Sequence, residues 1–555
     1  MTRAHPGSAA SHLDGATVPS VDRRRPTPRT VKAAPAWLTL RSDGPLLGIG
    51  GTAYDTAWLA SLADPSAPRA ARFPLALQWL IEHQHEDGSW GGAIRYQHDR
   101  ILCTLAALTA LSTRGRRARD RASIEAGTRY LWRHGHLLPS EPVELVGFEL
   151  LLPSLVQRAQ AVGIAVPPHL DVYRQQRLEK LRLIPTQLLY SSRTTAVHSL
   201  EFLGSEVNPY RLTAAQGPNG SIGNSPAATA YFLSHRDDAA AAAYLAECLR
   251  LTGGATAPVL HPCETFELLW TAYHLHLGGV PAAELLTPAR RGMLLGALAE
   301  GGVSLSPTTF PIPDADDTAV ALLLLRELGE PVEARALRSF ELPGGHFASF
   351  PHERHPSIGV NLHVLHALLR VPGYPAHDAT VARLVDYAID QQVADLYWID
   401  KWHISPYYAT AHALRVFAEL PSPLSERVAP AAGRALEWIR HTQRGDGSWG
   451  FYDQPSLEET AYGLLALAGQ PGELSATDRR RCAAALRRLD TSARVEGRMD
   501  ADAFPPLWVD KCLYVPPLVV HAAVEAAGLA AGRRLGPRRT QANSTAANAA
   551  GPNGD

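Results

Sequence analysis

One thirteen-residue phrase occurs twice in this chain, and it constrains the fold more than any other feature. Residues 79–91 read WLIEHQHEDGSWG and residues 438–450 read WIRHTQRGDGSWG, with Trp, Gln and Asp-Gly-Ser-Trp-Gly at identical offsets. Each leads into a helix of one pattern, TLAALTAL from Thr104 and TAYGLLAL from Thr460, and a third such helix, TAVALLLL, begins at Thr318. Matching units near opposite ends imply two related helical domains built from stacked hairpins. The Gln side chain and the Asp-Gly-Ser turn are expected to tie one helix end to the next, with Trp packed beneath. Elsewhere apolar residues recur at three and four positions and strand-like alternation is scarce, so the predicted fold class is all-α.

Composition removes several functions. The 555 residues carry 53 basic and 54 acidic side chains, a formal charge of −1, without the basic excess of a nucleic-acid partner. Five cysteines (Cys103, Cys248, Cys263, Cys482, Cys512) lie far apart with no C-x-x-C pair, which argues against a disulfide scaffold or a zinc finger. No stretch approaches the length of a membrane-spanning helix, and the first 35 residues lack the apolar core of a secretory signal, so a cytoplasmic location is expected. Residues 1–35 and 531–555 read as flexible tails. Lysine occurs only at Lys32, Lys180, Lys401 and Lys511 among the 53 basic residues. In so arginine-rich a chain, the lysines outside the leader mark positions that call for a compact ammonium.

The sharpest local feature is Pro313-Asp314-Ala315-Asp316-Asp317-Thr318-Ala319, opening an apolar helix. Asp314 suits an N-cap, and acids in a first turn suit the helix dipole. A calcium loop is excluded, because its sixth and twelfth places hold Ala319 and Leu325. Three carboxylates within four residues cannot all ionise cheaply, so one is expected to keep a proton near neutral pH. Such a group could protonate a carbon–carbon double bond, provided a dry, aromatic-walled cavity receives the cation. Candidates for that wall are Trp270, Phe310, Trp398, Trp402, Tyr407, Tyr408 and Trp508.

With two Q-x-x-D-G-S-W-G motifs beside it, D-A-D-D-T-A resembles the class II terpene cyclases, specifically the bacterial diterpene type related to plant copalyl diphosphate synthases. YDTAWLA (54–60), VGFELLLPSL (146–155), HSLEFLG (198–204), NGSIGNSPAATA (219–230), EETAYGLLAL (458–467) and WVDKCLY (508–514) follow in family order. The resemblance implies two α/α-barrel domains (a βγ architecture) with the cavity between them. The barrel holding the acid takes residues 36–66 and 262–530, and an inserted barrel takes 67–261. It implies Asp316 as proton donor, tuned by Asp314 and Asp317. It places Lys180 and Lys511 on a substrate diphosphate, with Lys401 a third cation or an ion-pair partner of Asp400 or another acid. It implies a prenyl diphosphate substrate accompanied by Mg2+, geranylgeranyl diphosphate first and farnesyl diphosphate second. The product would be a bicyclic diphosphate passed to a separate class I terpene synthase. The acidic stretch that plant enzymes carry before G-F-E is thinned here to Glu141 and Glu144, the remaining candidates for metal ligands.

Other readings explain less. Loss of diphosphate needs D-D-x-x-D/E, whereas Asp237-Asp238 is followed by three alanines and Asp316-Asp317 by Thr, Ala and Val. A squalene–hopene-type cyclase shares the acid motif but leaves the lysines unexplained, and a glycoside hydrolase or a non-catalytic barrel leaves the ordered signatures unexplained. Plant relatives end the reaction with a water held by the His of L-H-S and the Asn of P-N-V. Here His198 is kept, but the second position is Pro258, which has no side-chain hydrogen-bonding group. Termination is therefore expected to differ, with His198 alone, with another partner, or elsewhere in the cavity.

Overall fold

The computed structural model describes residues 36–496 and 504–536, apart from positions 45, 47, 116, 352 and 354. The expected leader, Lys32 and the tail beyond 536 lie outside the described residues. Nineteen α-helices hold about half of the described residues, joined by 3₁₀ segments and loops, with three two-stranded sheets of short strands among the described residues.

The first group of helices comprises α1 (Ala36–Leu40), α2 (Ala53–Ala60), α3 (Pro74–Glu82), α4 (Gln97–Arg114), α5 (Ala118–His134), α6 (Phe148–Ala161), α7 (Arg174–Leu183), α8 (Pro226–His235) and α9 (Ala239–Leu251). In it α2 packs on α4, α4 on α6, α6 on the 3₁₀ segment Thr195–Glu206, that segment on α8, and α8 back on α2, closing a ring. Helices α3, α5, α7 and α9 pack outside it.

The second group comprises α10 (Glu264–Leu277), α11 (Pro288–Ala299), α12 (Ala315–Glu327), α13 (Ile358–Arg370), α14 (His377–Asp390), α15 (Pro406–Phe417), α16 (Leu424–Thr442), α17 (Leu457–Ala468), α18 (Ala476–Glu496) and α19 (Pro517–Leu535). Here α10, α12, α13, α15, α17 and α19 close an inner ring of six, each packed on the next and α19 on α10. Helices α11, α14, α16 and α18 lie outside. Inner helices contact neighbours on all sides, so they are apolar all round: every residue of α15 except Arg415 is buried.

The duplicated phrase does what its sequence predicts. Gln84 Nε2 donates to the carbonyls of Gly88 and Ser123 (2.8 and 2.9 Å), and Gln443 Nε2 donates to those of Gly447 and Arg481 (both 3.1 Å). Trp90 and Trp449 are fully buried and donate from their indoles to Leu80 and Ile439. Their backbone N–H groups meet the Thr104 and Thr460 hydroxyls inside the next inner helices. The turn requires glycine: Gly88 and Gly447 sit at φ 93° and 90°, and a Cβ at either would strike backbone of the following outer helix.

Two further copies are hidden. Trp398 donates to Ala388 from its indole and meets Thr410 through its backbone, with Gln392 bonded to Ala431. At Gln216–Ile222 an isoleucine replaces the Trp, yet Gln216 still reaches Gly220 and Ile222 N–H still meets Thr229. Trp398 is thus a helix staple and not cavity wall, a correction to its expected role.

Two boundary expectations also change. Helix α2 was assigned to the acid-bearing barrel with residues 36–66, but it closes the first ring, while α1 alone of that stretch packs on α10 and α19. All eight residues of α2 are buried, so its sequence offers no polar face to reveal which body it joins. Residues 531–535, expected in the tail, continue α19 as a helix that buries Ala530 and Ala531.

The segment 508–515 of the second body reaches into the first. The Asp510 carbonyl accepts from Val146 N–H (3.0 Å), Leu513 N–H donates to Asp99 Oδ1 (2.9 Å), and the Val515 carbonyl accepts from Gly50 N–H (3.0 Å). This wedge fixes the two rings against each other.

Candidate active site

Asp314 caps α12 from an extended backbone, its Oδ1 accepting from Asp317 N–H at 2.8 Å. The cap is pinned by Asp314 N–H on the Val303 carbonyl and Ala315 N–H on the Ser349 carbonyl (2.9 and 2.8 Å). Asp316 therefore leaves the first turn in a fixed direction, and its Oδ1 lies 2.7 Å from His363 Nδ1 on α13. The far nitrogen of that ring lies 2.5 Å from His412 Nδ1 on α15. Burial drives the His412 pKa well down, helped by the neighbouring histidines, so His412 is neutral. With His363 donating to Asp316 Oδ1, the other carboxyl oxygen is left to carry a deliverable proton.

The flanking acids are buried and protonated near neutral pH. Burial first, and the charge of Asp316 second, push Asp317 up to about 8. Burial, then the charge of Asp317, pushes Asp314 well above the ordinary carboxylate value. The neutral form of Asp317 contributes stability in full below its ordinary value of 3.8, and this is lost as pH rises through about 8. Turnover is accordingly expected to fall as pH rises through about 8, because ionised Asp317 then places a buried negative charge inside the acid cluster. A kcat/KM profile still flat at pH 9 in the folded enzyme would contradict this.

The acids open onto a cavity lined mainly by apolar and aromatic side chains. Its wall includes Phe266, Trp270, Phe310, Trp402, Tyr408 and Trp508, together with Thr195, His198 and Gly223 from the first ring. No Lys or Arg is among the described lining residues. Trp270 meets Trp508 edge-on at 6.0 Å and Tyr408 meets Trp508 at 5.4 Å, so ring faces are presented from several directions. The wall is braced from behind: Trp508 Nε1 donates to Glu458 (2.8 Å), and His403 contacts the same carboxylate while stacking on Tyr408 at 4.6 Å. A proton donor facing stacked π systems in a dry space can generate a carbocation and hold it away from water.

Comparison with known proteins agrees. Residues 353–472 match the family described as squalene-hopene cyclase C-terminal domain. A type B diterpene cyclase of Mycobacterium tuberculosis is 32% identical over 86% of this chain and 95% of its own. The chain belongs to the class II diterpene cyclases. The labda-7,13-dienyl diphosphate synthase of Streptomyces clavuligerus is 34% identical to this cyclase over 90% of the chain and 93% of its own. The solved ent-copalyl diphosphate synthase from Streptomyces platensis superposes with a TM-score of 0.70 at 28% identity, covering 89% of the cyclase and 98% of that chain.

Of the expected aromatic wall, the cyclase places Trp270, Phe310, Trp402, Tyr408 and Trp508 at the cavity, but not Tyr407. Tyr407 stacks on Trp438 at 4.6 Å, because one residue along α15 turns the side chain about 100° away from Tyr408. Phe266, Phe350 and Tyr514 also line the cavity and were missed, as single aromatics without a pattern.

The lysines divide. Lys511 is fully buried, donating to the His198 carbonyl (3.0 Å), Glu201 (3.1 Å) and Ser225 Oγ (2.5 Å), with Asp55 at 3.9 Å. Its protons are spent, so it is no diphosphate ligand. The scarcity argument found a position that needs a compact ammonium, but for a structural reason. Lys401 pairs with Glu353 and the His355 carbonyl, lying 5.0 Å over the Trp402 ring, which makes Glu353 its acid in place of Asp400. Lys180 is half-exposed on α7 and pairs with Glu149.

Glu141 and Glu144 do not fit a resident metal. Glu141 accepts from Gln97 N–H (2.7 Å) at the start of α4, and Glu144 accepts from the Tyr173 hydroxyl (2.9 Å). Burial raises both, disfavouring the charge a cation needs. Among the described residues no group of three His, Cys, Asp or Glu side chains is placed to hold a metal ion. Nor is any described helix long and apolar enough to cross a membrane.

Proposed function

We propose that this cyclase protonates the terminal double bond of geranylgeranyl diphosphate, closes two rings and releases a bicyclic diphosphate with its diphosphate intact. The observation that carries the reading is Asp316, backed by His363 and set at the edge of an aromatic cavity. Protonation of an alkene needs a strong, shielded acid, and the cation that follows needs π faces and no water. The diphosphate stays outside the cavity wall, which offers it no Lys or Arg among the described residues, with Lys180 as the exposed cation nearest in role. Magnesium enters as counter-ion of the substrate. A separate class I synthase must then consume the product, since the sequence lacks a motif for diphosphate loss.

The test is incubation with geranylgeranyl and farnesyl diphosphates and magnesium, followed by phosphatase and mass spectrometry of the alcohols. A cyclised C20 alcohol, seen only after phosphatase treatment, is the expected result. Turnover of the C15 substrate alone, or release of inorganic diphosphate in step with turnover, would overturn it.

A further inference from the structure

A class II cyclisation takes one proton in and must give one back, and the group that receives it has to touch the last cation. The cavity holds one titratable pair away from the acid cluster, His198 of the first ring and Asp510 of the interdomain wedge. His198 Nδ1 lies 2.8 Å from the Gly223 carbonyl, an acceptor only, so Nδ1 carries a hydrogen. Nε2 lies 3.0 and 3.1 Å from the two Asp510 oxygens. A neutral ring with its hydrogen on Nδ1 would aim a lone pair at a carboxylate, so the contact requires a proton between the two groups, and the surrounding charges favour Nε2. The directions agree. Burial works to lower His198 but is outweighed by Asp510, leaving it raised, while burial of Asp510 is outweighed by His198 and Lys511, leaving it lowered. Imidazolium and carboxylate therefore face the cavity as an ion pair.

We infer that Asp510, and not His198, is the base that ends the cascade. The imidazolium has no lone pair to offer. Asp510 Oδ1 is committed to Lys511 N–H at 2.6 Å, whereas Oδ2 meets only the His198 ring among the described residues. Both side chains keep a small exposed fraction, 14% and 12%, and both line the cavity. In the step, the C–H bond beside the cationic carbon breaks, its electron pair becomes the new C=C bond, and the proton passes to Oδ2 and then to water. The paired imidazolium tempers the carboxylate, so that it neither traps an early cation nor adds net charge to the apolar space. Lys511 sets the geometry by holding the His198 carbonyl.

This inference rests on the cyclase reading above, and the parent enzyme separates the two: no cyclised product from the parent defeats that reading, and only a cyclising parent tests this one. Asp510→Asn keeps the shape and the acceptor for Lys511 N–H but removes the base. It is expected to consume substrate within about tenfold of the parent while shifting most product to hydroxylated or rearranged diphosphates. Asp510→Glu should restore olefin as the main product. His198→Gln should keep the parent olefin at reduced rate, because Asp510 is still a carboxylate. Parent products from Asp510→Asn, or diversion by His198→Gln alone, would assign the base to His198 and overturn the inference. If Asp510→Asn does not fold by circular dichroism, the His198→Gln product profile decides the question alone.

Discussion

Asp316→Asn is expected to lose turnover by about 10³-fold or more while keeping the fold, since proton transfer by a positioned acid supplies about 10²–10⁴-fold. The amide has the same shape and can still accept from His363 Nδ1, 2.7 Å from the present oxygen. What it lacks is a transferable proton, and nothing else is placed to supply one. Asp314 is used as the cap on Asp317 N–H, and Asp317 is enclosed with Trp270. Asp316 is also the least enclosed of the three, with 17% of its side chain exposed to the cavity. The measurement is single-turnover consumption of geranylgeranyl diphosphate, with circular dichroism and melting temperature on the same sample. A folded variant within tenfold of the parent would remove Asp316 as the donor.

Lys511→Met should cost about 3–5 kcal/mol of stability, out of the roughly 5–15 kcal/mol that a folded protein commands. The ammonium, Glu201 and Asp55 are all fully buried, and Met leaves two carboxylates without their cation. Even with Lys511 present, burial pushes Asp55 up to about 7, so that carboxylate has little margin. The network joins the wedge to α2, the Thr195–Glu206 segment and the Ser225 cap of α8, so the loss falls on the junction between the rings. Arg is not expected to rescue, because its fork must fit where a point charge meets three acceptors. Chemical denaturation of both variants checks this. A Lys511→Met protein of parental stability whose only defect is a raised KM would return Lys511 to the diphosphate.

The residues that could be read in sequence act through their immediate neighbours. The Gln-x-x-Asp-Gly-Ser-Trp-Gly turn closes on itself within a few positions, and Asp314 caps a helix three residues on, so their roles are written in adjacent letters. At Gln216–Ile222 the turn keeps Gln and Gly-Ser with Asn and Ile for Asp and Trp, and at Gln392–Trp398 it keeps Gln, Asp and Trp without Gly-Ser, so both copies were only partly legible yet survive in space. His363 sits in an apolar stretch of α13 and reads as a core histidine, and only the approach of α12 to α13 makes it the partner of the acid. Within WVDKCLY the motif marked the lysine, but its neighbour Asp510 is the residue that reaches the cavity.

By itself, then, the sequence determined the helical class, the doubling and the place of the acid, because periodicity, turn chemistry and capping are local. Tertiary structure alone decided which ring α2 closes, which lysine is buried, and what His198 faces. Those outcomes depend on pairs such as His198 with Asp510 and Lys511 with Glu201, more than three hundred residues apart in the chain. A charge has no fixed meaning until its neighbours and its solvent are known. The same ammonium is a ligand at a surface and a structural pin when three acceptors and no water surround it.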